Sequence, residues 1–385
     1  MTKSLKKNRK KGKAIERLIG PMKQLKIKKE DQKVFSDLNF EDLPNEVICH
    51  VFSYLKIVDI LKCGKVSKRF RAISNDQYLW PKTLNLCYKK VPVGFLQKLL
   101  DSGCKYLSLS GAVLDGTLNL TTTSGLKYLN LSDFELECYR KNSEEILKSC
   151  FSLQKLSLCK SKLSLNLISI TSLQNGKTLK VLDLSKCTFL GSHSNKCEMD
   201  CIWQIVKTCT ELKEISLFMT NLCEKSIHYL VSNLTSNIEK VDLFNMNRLR
   251  DKDVKKLVTR CNKITDLNLG GWNSTTSRSL NLIIENLKVT LERLSLTSFV
   301  RFNQDDLFNL DRLEKLEVLC FDGIMEFGND DGWLKQHLPN VRIYANPRKR
   351  KIAIPREPGY NRQGFWDIKA RQEDLFSNLE QKVFE

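Results

Sequence analysis

Residues 126–131 read LKYLNL, residues 153–158 LQKLSL, residues 179–184 LKVLDL and residues 212–217 LKEISL. The same LxxLxL spacing returns at Ile238-Val241-Leu243, Ile264-Leu267-Leu269, Leu291-Leu294-Leu296 and Leu316-Leu319-Phe321. A final copy reads Leu338-Val341-Ile343, and weaker copies precede the set at Cys104-Leu107-Leu109 and around Leu84–Leu86. From Leu107 onward the middle residues advance by 22, 27, 26, 33, 26, 26, 27, 25 and 22 positions. Within each copy the last two apolar residues alternate along a short strand and point to one side, while the residues between them face the other. A single copy cannot bury its own leucines, so the copies must stack.

A period in the twenties with this signature is that of leucine-rich repeats. It predicts an α/β fold, a horseshoe that is a right-handed α/β solenoid of about ten repeats over residues 83–345. The apolar runs Ile146-Leu147, Ile202-Ile205-Val206 and Val254-Leu257-Val258 supply the return helices. Cysteines stand three residues before the strand signature at Cys150, Cys209 and Cys261, and they are expected as buried thiols at helix ends. The interval from Leu182 to Ile215 is longer than its neighbours, and its surplus falls at Gly191–Lys196, a polar rim insertion.

Residues 38–82 have a different pattern. Leu43-Pro44 opens a helix that carries Val47, Ile48, Val51, Phe52 and Leu55 at helical spacing. A second short helix holds Val58, Ile60 and Leu61, and a third holds Val66, Phe70 and Ile73 between Lys65, Lys68, Arg69 and Arg71. The apolar content exceeds what three short helices need for one core, which predicts a surface covered by another protein.

The order LP–EV–VFSYL, then VSKRF, then LW at Leu79-Trp80 resembles an F-box, and with the repeats it is similar to the F-box/leucine-rich-repeat family. Trp80-Pro-Lys-Thr-Leu-Asn-Leu86, the repeat phasing and Gly364-Phe365-Trp366-Asp367-Ile368-Lys369 most resemble the S-phase kinase-associated F-box group. The resemblance implies a non-catalytic substrate receptor of an SCF-type cullin–RING ubiquitin ligase. Its F-box would hold a Skp-type adaptor through Leu43, Pro44, Val47, Ile48, Phe52, Leu55 and Trp80. Its repeats would hold phosphorylated cell-cycle regulators such as cyclin-dependent kinase inhibitors, with a Cks-type accessory protein. Phe244, Arg248, Trp272, Phe299, Arg301 and Trp366 are the candidate contacts there, since aromatic and Arg side chains are common interface anchors. Residues 346–385 are expected to return over the concave face.

The formal charge is +19 over 385 residues, and residues 1–33 hold 13 basic against 3 acidic residues. Residues 1–37 thus form a basic tail, and Arg348-Lys349-Arg350-Lys351 is a second basic cluster. These clusters predict a nuclear as well as cytoplasmic protein, and they carry the alternative of a nuclear scaffold that binds nucleic acid. No aromatic interleaving or RNA-binding signature accompanies them, so no specific nucleic acid is expected. There is no apolar leader and no run of 18 apolar residues, so neither secretion nor a membrane span is expected.

His193, Cys197 and Cys201 stand at i, i+4 and i+8, a spacing able to hold zinc, but a coincidental loop-to-helix entry is the preferred reading, and no metal or cofactor is expected. The four histidines sit in no catalytic signature, and Gly270-Gly271 lacks the remainder of a phosphate loop.

Overall fold

A computed structural model describes residues 40–55, 57–79, 83–118, 125–134, 140–189, 196–220, 222–246, 248–271, 275–296, 304–321 and 332–345. These residues fall into two units, with the division between Pro81 and Lys82. The expected tails, the 191–195 insertion with His193, and Trp80, Trp272, Phe299, Arg301 and Trp366 lie outside the described residues.

The first unit contains α1 (Asn45–Phe52), α2 (Ile57–Cys63) and α3 (Lys68–Ser74), bracketed by one-turn 3-10 helices at Phe40–Asp42 and Gln77–Leu79. Pro44 is the N-cap of α1, and not its first helical residue as its type suggested. Ser67 caps α3 by accepting a hydrogen bond from the Phe70 amide at 3.0 Å, which satisfies one of the orphan donors of a helix start. The core is aromatic: Phe70 meets Phe52 edge-on at 5.5 Å and Phe40 at 5.9 Å. Arg69 ties the third helix to the first, donating to Asn45 Oδ1 at 2.8 Å and to the Leu43 carbonyl at 2.5 Å.

The second unit is built on one parallel sheet of eleven short strands. In chain order the strands that concern the site are β1 (Thr83–Asn85), β2 (Tyr106–Ser108), β3 (Tyr128–Asn130), β4 (Lys155–Ser157), β5 (Val181–Asp183), β6 (Glu214–Ser216), β7 (Lys240–Asp242), β8 (Asp266–Asn268), β9 (Arg293–Ser295), β10 (Val318–Phe321) and β11 (Arg342–Ala345). Each pairs with the next copy in the chain, so order in sequence equals order in space. Leu107, Leu129, Leu156, Leu182, Ile215, Val241, Leu267, Leu294 and Leu319 stand opposite one another through the whole ladder. These are the middle residues of the repeat copies, and all are buried.

The last copy is shifted from its expected phase. Ile343, not Val341, pairs with Leu319. Leu338 ends a turn whose carbonyl accepts from the Val341 amide at 3.1 Å, and the ladder resumes only where the Arg342 amide meets the Glu317 carbonyl at 2.8 Å. The turn consumes the residues that the spacing had given to the strand.

The return segments are helices, among them Arg140–Ser149, Leu165–Asn175, Lys196–Thr208, Glu224–Asn233, Asp251–Arg260 and Ser277–Leu287. The anticipated helical residues Ile146, Leu147, Ile202, Ile205, Val254, Leu257 and Val258 are buried. Cys150, Cys209 and Cys261 are buried at or just past helix ends, as their position in the repeat suggested. Burial pushes the Cys209 thiol up to about 11 and that of Cys261 to about 12, which leaves both protonated and unreactive at neutral pH.

What ends each strand is legible only in three dimensions. One residue after the middle position, Asn85, Asn130, Asp183, Asp242 and Asn268 each accept a hydrogen bond from the amide two residues ahead, at 2.9–3.1 Å. These Asx turns bend the chain away from the sheet. Four residues after the middle position the backbone turns left-handed at Tyr88, Gly111, Asp133, Lys160, Lys186, Met219, Asn245 and Gly271, with φ between 54° and 78°. Their amides pair with carbonyls of the next repeat, for example Met219 with Phe244 at 3.0 Å and Asn245 with Gly270 at 2.7 Å. Such pairing offsets the strain of positive φ in residues with a Cβ. At Gly271 there is also no room, since a Cβ would sit 3.0 Å from Asn245 Cα.

Candidate partner-binding surfaces

In the three-helix unit, the six described residues among the seven singled out from the sequence divide by exposure. Ile48 and Phe52 are wholly buried in the unit's own core, which leaves them no exposed surface in this arrangement. The reason is geometric: both lie on the face of α1 that meets Phe70, and three short helices need every large apolar side chain on that face. Leu43 and Leu55 are half-buried, Pro44 is exposed and Val47 is 42% exposed. The apolar surplus is therefore smaller than expected, and it is concentrated in Val47 and in two residues the sequence did not mark. Tyr54 is 77% exposed and Tyr78 is 70% exposed.

Tyr54 continues the α1 side of the unit, with its ring edge-on to His50 at 5.1 Å and its hydroxyl 3.2 Å from His50 Nε2. Beside Tyr78 a groove of about 560 Å³ opens between α1 and α3, lined by Asn45, Glu46, Cys49, Ile73 and Asp76 among others. Desolvation, then the Asp76 and Glu46 carboxylates, raise the Cys49 thiol above its ordinary value, so it offers no thiolate nucleophile. Among the described residues the arrangement offers contact surface and hydrogen-bonding groups.

In the repeat unit, Phe244 is half-buried and lies on the loop that leaves β7, not on the strand face. Its ring stacks on Phe218 at 4.9 Å with 17° between planes, and Lys186 Nζ stands 5.4 Å from the Phe218 centroid. Three successive repeats thus contribute one stacked Lys–Phe–Phe column at the strand exits. Arg248 is exposed two residues beyond Met246. Cys201, the described member of the His–Cys–Cys spacing with a placed side chain, is wholly buried. Among the described residues no group of three potential ligands is gathered.

The sequence reading placed binding on the strand face but did not single out the residues that line it. The residues just before each middle position share that face, and across β2 to β9 they are Tyr106, Tyr128, Lys155, Val181, Glu214, Lys240, Asp266 and Arg293. The available signal was the repeat phase, which fixes this column once a single strand is placed. The next column, with the Asx residues, is buried and engaged in the turns already described. Asp242 is the extreme case. It is wholly buried, and burial, reinforced by Asp183, pushes its carboxyl up to about 8 despite the hydrogen bond from the Phe244 amide.

Three comparisons place this geometry among known proteins. The family model described as the SKP2 leucine-rich-repeat domain matches residues 94–373, and an F-box-like model matches residues 40–84. A curated human relative, F-box/LRR-repeat protein 12, is 27% identical over 149 residues. That match covers 38% of this chain and 40% of the relative, so the chain spans less than half the length of the relative it matches. Among solved structures, the yeast Rad7–Elc1 complex includes a chain 14% identical with a TM-score of 0.37, covering 78% of this chain and 92% of that one. An internalin from Listeria monocytogenes is 16% identical with a TM-score of 0.35, covering 71% of this chain and 89% of that one.

Proposed function

This chain belongs to the family of the SKP2 leucine-rich-repeat domain and carries an F-box ahead of its repeats, and from that premise we propose that it is the substrate-receptor subunit of an SCF-type cullin–RING ubiquitin ligase. The observation that carries the reading is the pairing of two binding elements in one chain. A three-helix F-box with its core complete still exposes Val47, Tyr54 and Tyr78, and an eleven-strand repeat sheet follows it. The F-box would hold a Skp-type adaptor and through it the cullin and RING subunit. The repeats would hold the protein to be modified, and the chemistry would be performed by other subunits.

The exposed side chains of α1, rather than its buried ones, are expected to carry adaptor binding. Val47→Asp places a charge on the exposed face and leaves Ile48, Phe52 and Phe70 packed. It should weaken capture of the adaptor by about tenfold or more, as for a buried interface anchor, with an unchanged melting transition. Purified chain and adaptor in a pull-down or calorimetric titration give the measurement, and full-strength binding by a folded Val47→Asp variant would count against this face.

For the substrate, the resemblance supports phosphorylated cell-cycle regulators, cyclin-dependent kinase inhibitors in particular, presented with a Cks-type protein. Capture of such an inhibitor only in its phosphorylated form and only with the accessory protein would bear this out. The basic clusters Lys6–Lys13 and Arg348–Lys351 support residence in the nucleus as well as the cytoplasm. Neutralising both should lower the nuclear fraction of a fluorescent fusion, and an unchanged fraction would refute the assignment.

A further inference from the structure

Taken together, the strand entries (two residues before each middle position) and the strand face (one residue before it) change charge halfway along the sheet. In the segments 105–108, 127–130, 154–157 and 180–183 there are four lysines, Lys105, Lys127, Lys155 and Lys180, and one carboxylate, the buried Asp183. In the five segments that follow, up to residue 320, Glu214, Glu239, Asp266, Glu292 and Glu317 stand against three cations, with the wholly buried Asp242 set aside. Those three cations are already paired: Lys213 with Glu239 at 2.5 Å, Lys240 with Glu214 at 3.0 Å, and Arg293 with Asp266. Among the described residues no carboxylate lies within ion-pair distance of Lys105, Lys127, Lys155 or Lys180.

The aromatic residues in the basic half are already engaged. Tyr106 and Tyr128 lie with ring centroids 4.6 Å apart at 42°, and Lys155 Nζ stands 4.9 Å from the Tyr128 centroid. One side of the Tyr128 ring is thus taken by Tyr106 and another approach by the ammonium. A nucleobase, which binds such surfaces by stacking on an open ring, has little face left to use. Two phenols and four ammonium groups remain as hydrogen-bond donors and positive charge, which suits carboxylates or phosphorylated side chains.

Resting on the receptor reading above, we propose that strands β2 to β5 form an anion-binding subsite that seats an acidic segment of the captured protein, across Tyr106, Tyr128, Lys127, Lys155 and Lys180. Four strands span about 14 Å at about 4.8 Å spacing, so about five residues of extended chain cover the site. The acidic second half of the sheet repels the same segment and sets where along the sheet it lies.

The test uses the full chain and a fluorescein-labelled peptide of about ten Asp and Glu residues, with an oligothymidylate and a Lys-rich peptide as alternative probes. The acidic peptide should bind, and raising salt from about 50 to 200 mM should weaken it severalfold by screening. Lys127→Glu with Lys155→Glu should reduce binding by about tenfold or more, while Lys252→Glu with Lys255→Glu, both exposed on the helix Asp251–Arg260, makes the same charge change without that loss. Lys127→Gln with Lys155→Gln should fall between them, and covers the event that the reversed pair does not fold. No binding by the unmodified chain, equal binding by the Gln pair and the parent, or preferential binding of the oligothymidylate would each overturn the subsite. Adaptor capture is read on the same preparations. If that fails while the peptide result holds, the receptor reading falls and the anion subsite stands.

Discussion

Phe52→Ala should unfold the three-helix unit while leaving the repeats intact. Phe52 is wholly buried and its ring packs edge-on against Phe70 at 5.5 Å, so truncation opens a cavity where a short-helix unit has few other large side chains. Phe-to-Ala changes in cores cost about 3–5 kcal/mol, comparable to the whole stability expected of so small a unit. Limited proteolysis should then cut within residues 40–79 while the repeat unit resists, and adaptor capture should be lost with the fold. The contrast with Val47→Asp separates core from contact. A folded, protease-resistant Phe52→Ala protein that still fails to bind the adaptor would mean that Phe52 acts at the interface after all.

Asp242→Asn should stabilise the repeat unit at alkaline pH and do little at acid pH. Burial holds the Asp242 carboxyl protonated up to about 8, against an ordinary value of 3.8. In the unfolded chain it ionises near 4, so between those values the folded state binds one more proton than the unfolded state. Stability must therefore fall as pH rises from about 4 to about 8, and the loss is complete above the folded value. The size is a few kcal/mol at most, since each unit of displacement is worth about 1.4 kcal/mol and the folded site relaxes. Asparagine suits the position, because Asn130 and Asn268 occupy the equivalent places and accept the same backbone hydrogen bond. Urea unfolding at pH 5 and pH 8.5 gives the test. A gain confined to the higher pH is expected, and an equal change at both would show that Asp242 is not titrating in the folded protein.

The repeat phase shows how much of the fold lay in the sequence. The leucines had to face one way because strand side chains alternate, and Leu107 through Leu319 do stand in one register. Parallel stacking of equal units follows from the period alone, and so do the buried thiols of Cys150, Cys209 and Cys261. The three short helices ahead of the repeats were readable from apolar residues at helical spacing, and the F-box from the resemblance carried by its LP, VFSYL, VSKRF and LW elements. Where the prediction slipped, a local turn had overridden the period: Leu338 to Val341 close a turn, and the last strand begins at Arg342.

The binding surfaces were much less legible, for a physical reason. Hydrophobic spacing marks which side chains belong inside, and it marks Ile48 and Phe52 as strongly as Val47, although only Val47 is left exposed. Which of several apolar residues on a short helix faces a neighbour depends on the crossing of α1 and α3, and no local pattern records that. Charge pairing is likewise a property of neighbours about 26 residues apart in the chain. In sequence Lys127 and Lys213 hold one place in the repeat and Lys155 and Lys240 the next, and nothing local separates the members of either pair. Packing gives Lys213 and Lys240 carboxylate partners in the adjoining repeats, while among the described residues Lys127 and Lys155 have none and Lys155 stands over the Tyr128 ring. The sequence by itself determined the period and, up to the last copy, the register and core of the repeats, because alternating leucines can be buried in only one phase. Only the tertiary structure decided which polar residues are consumed by the scaffold, because that depends on which repeats become neighbours across the sheet.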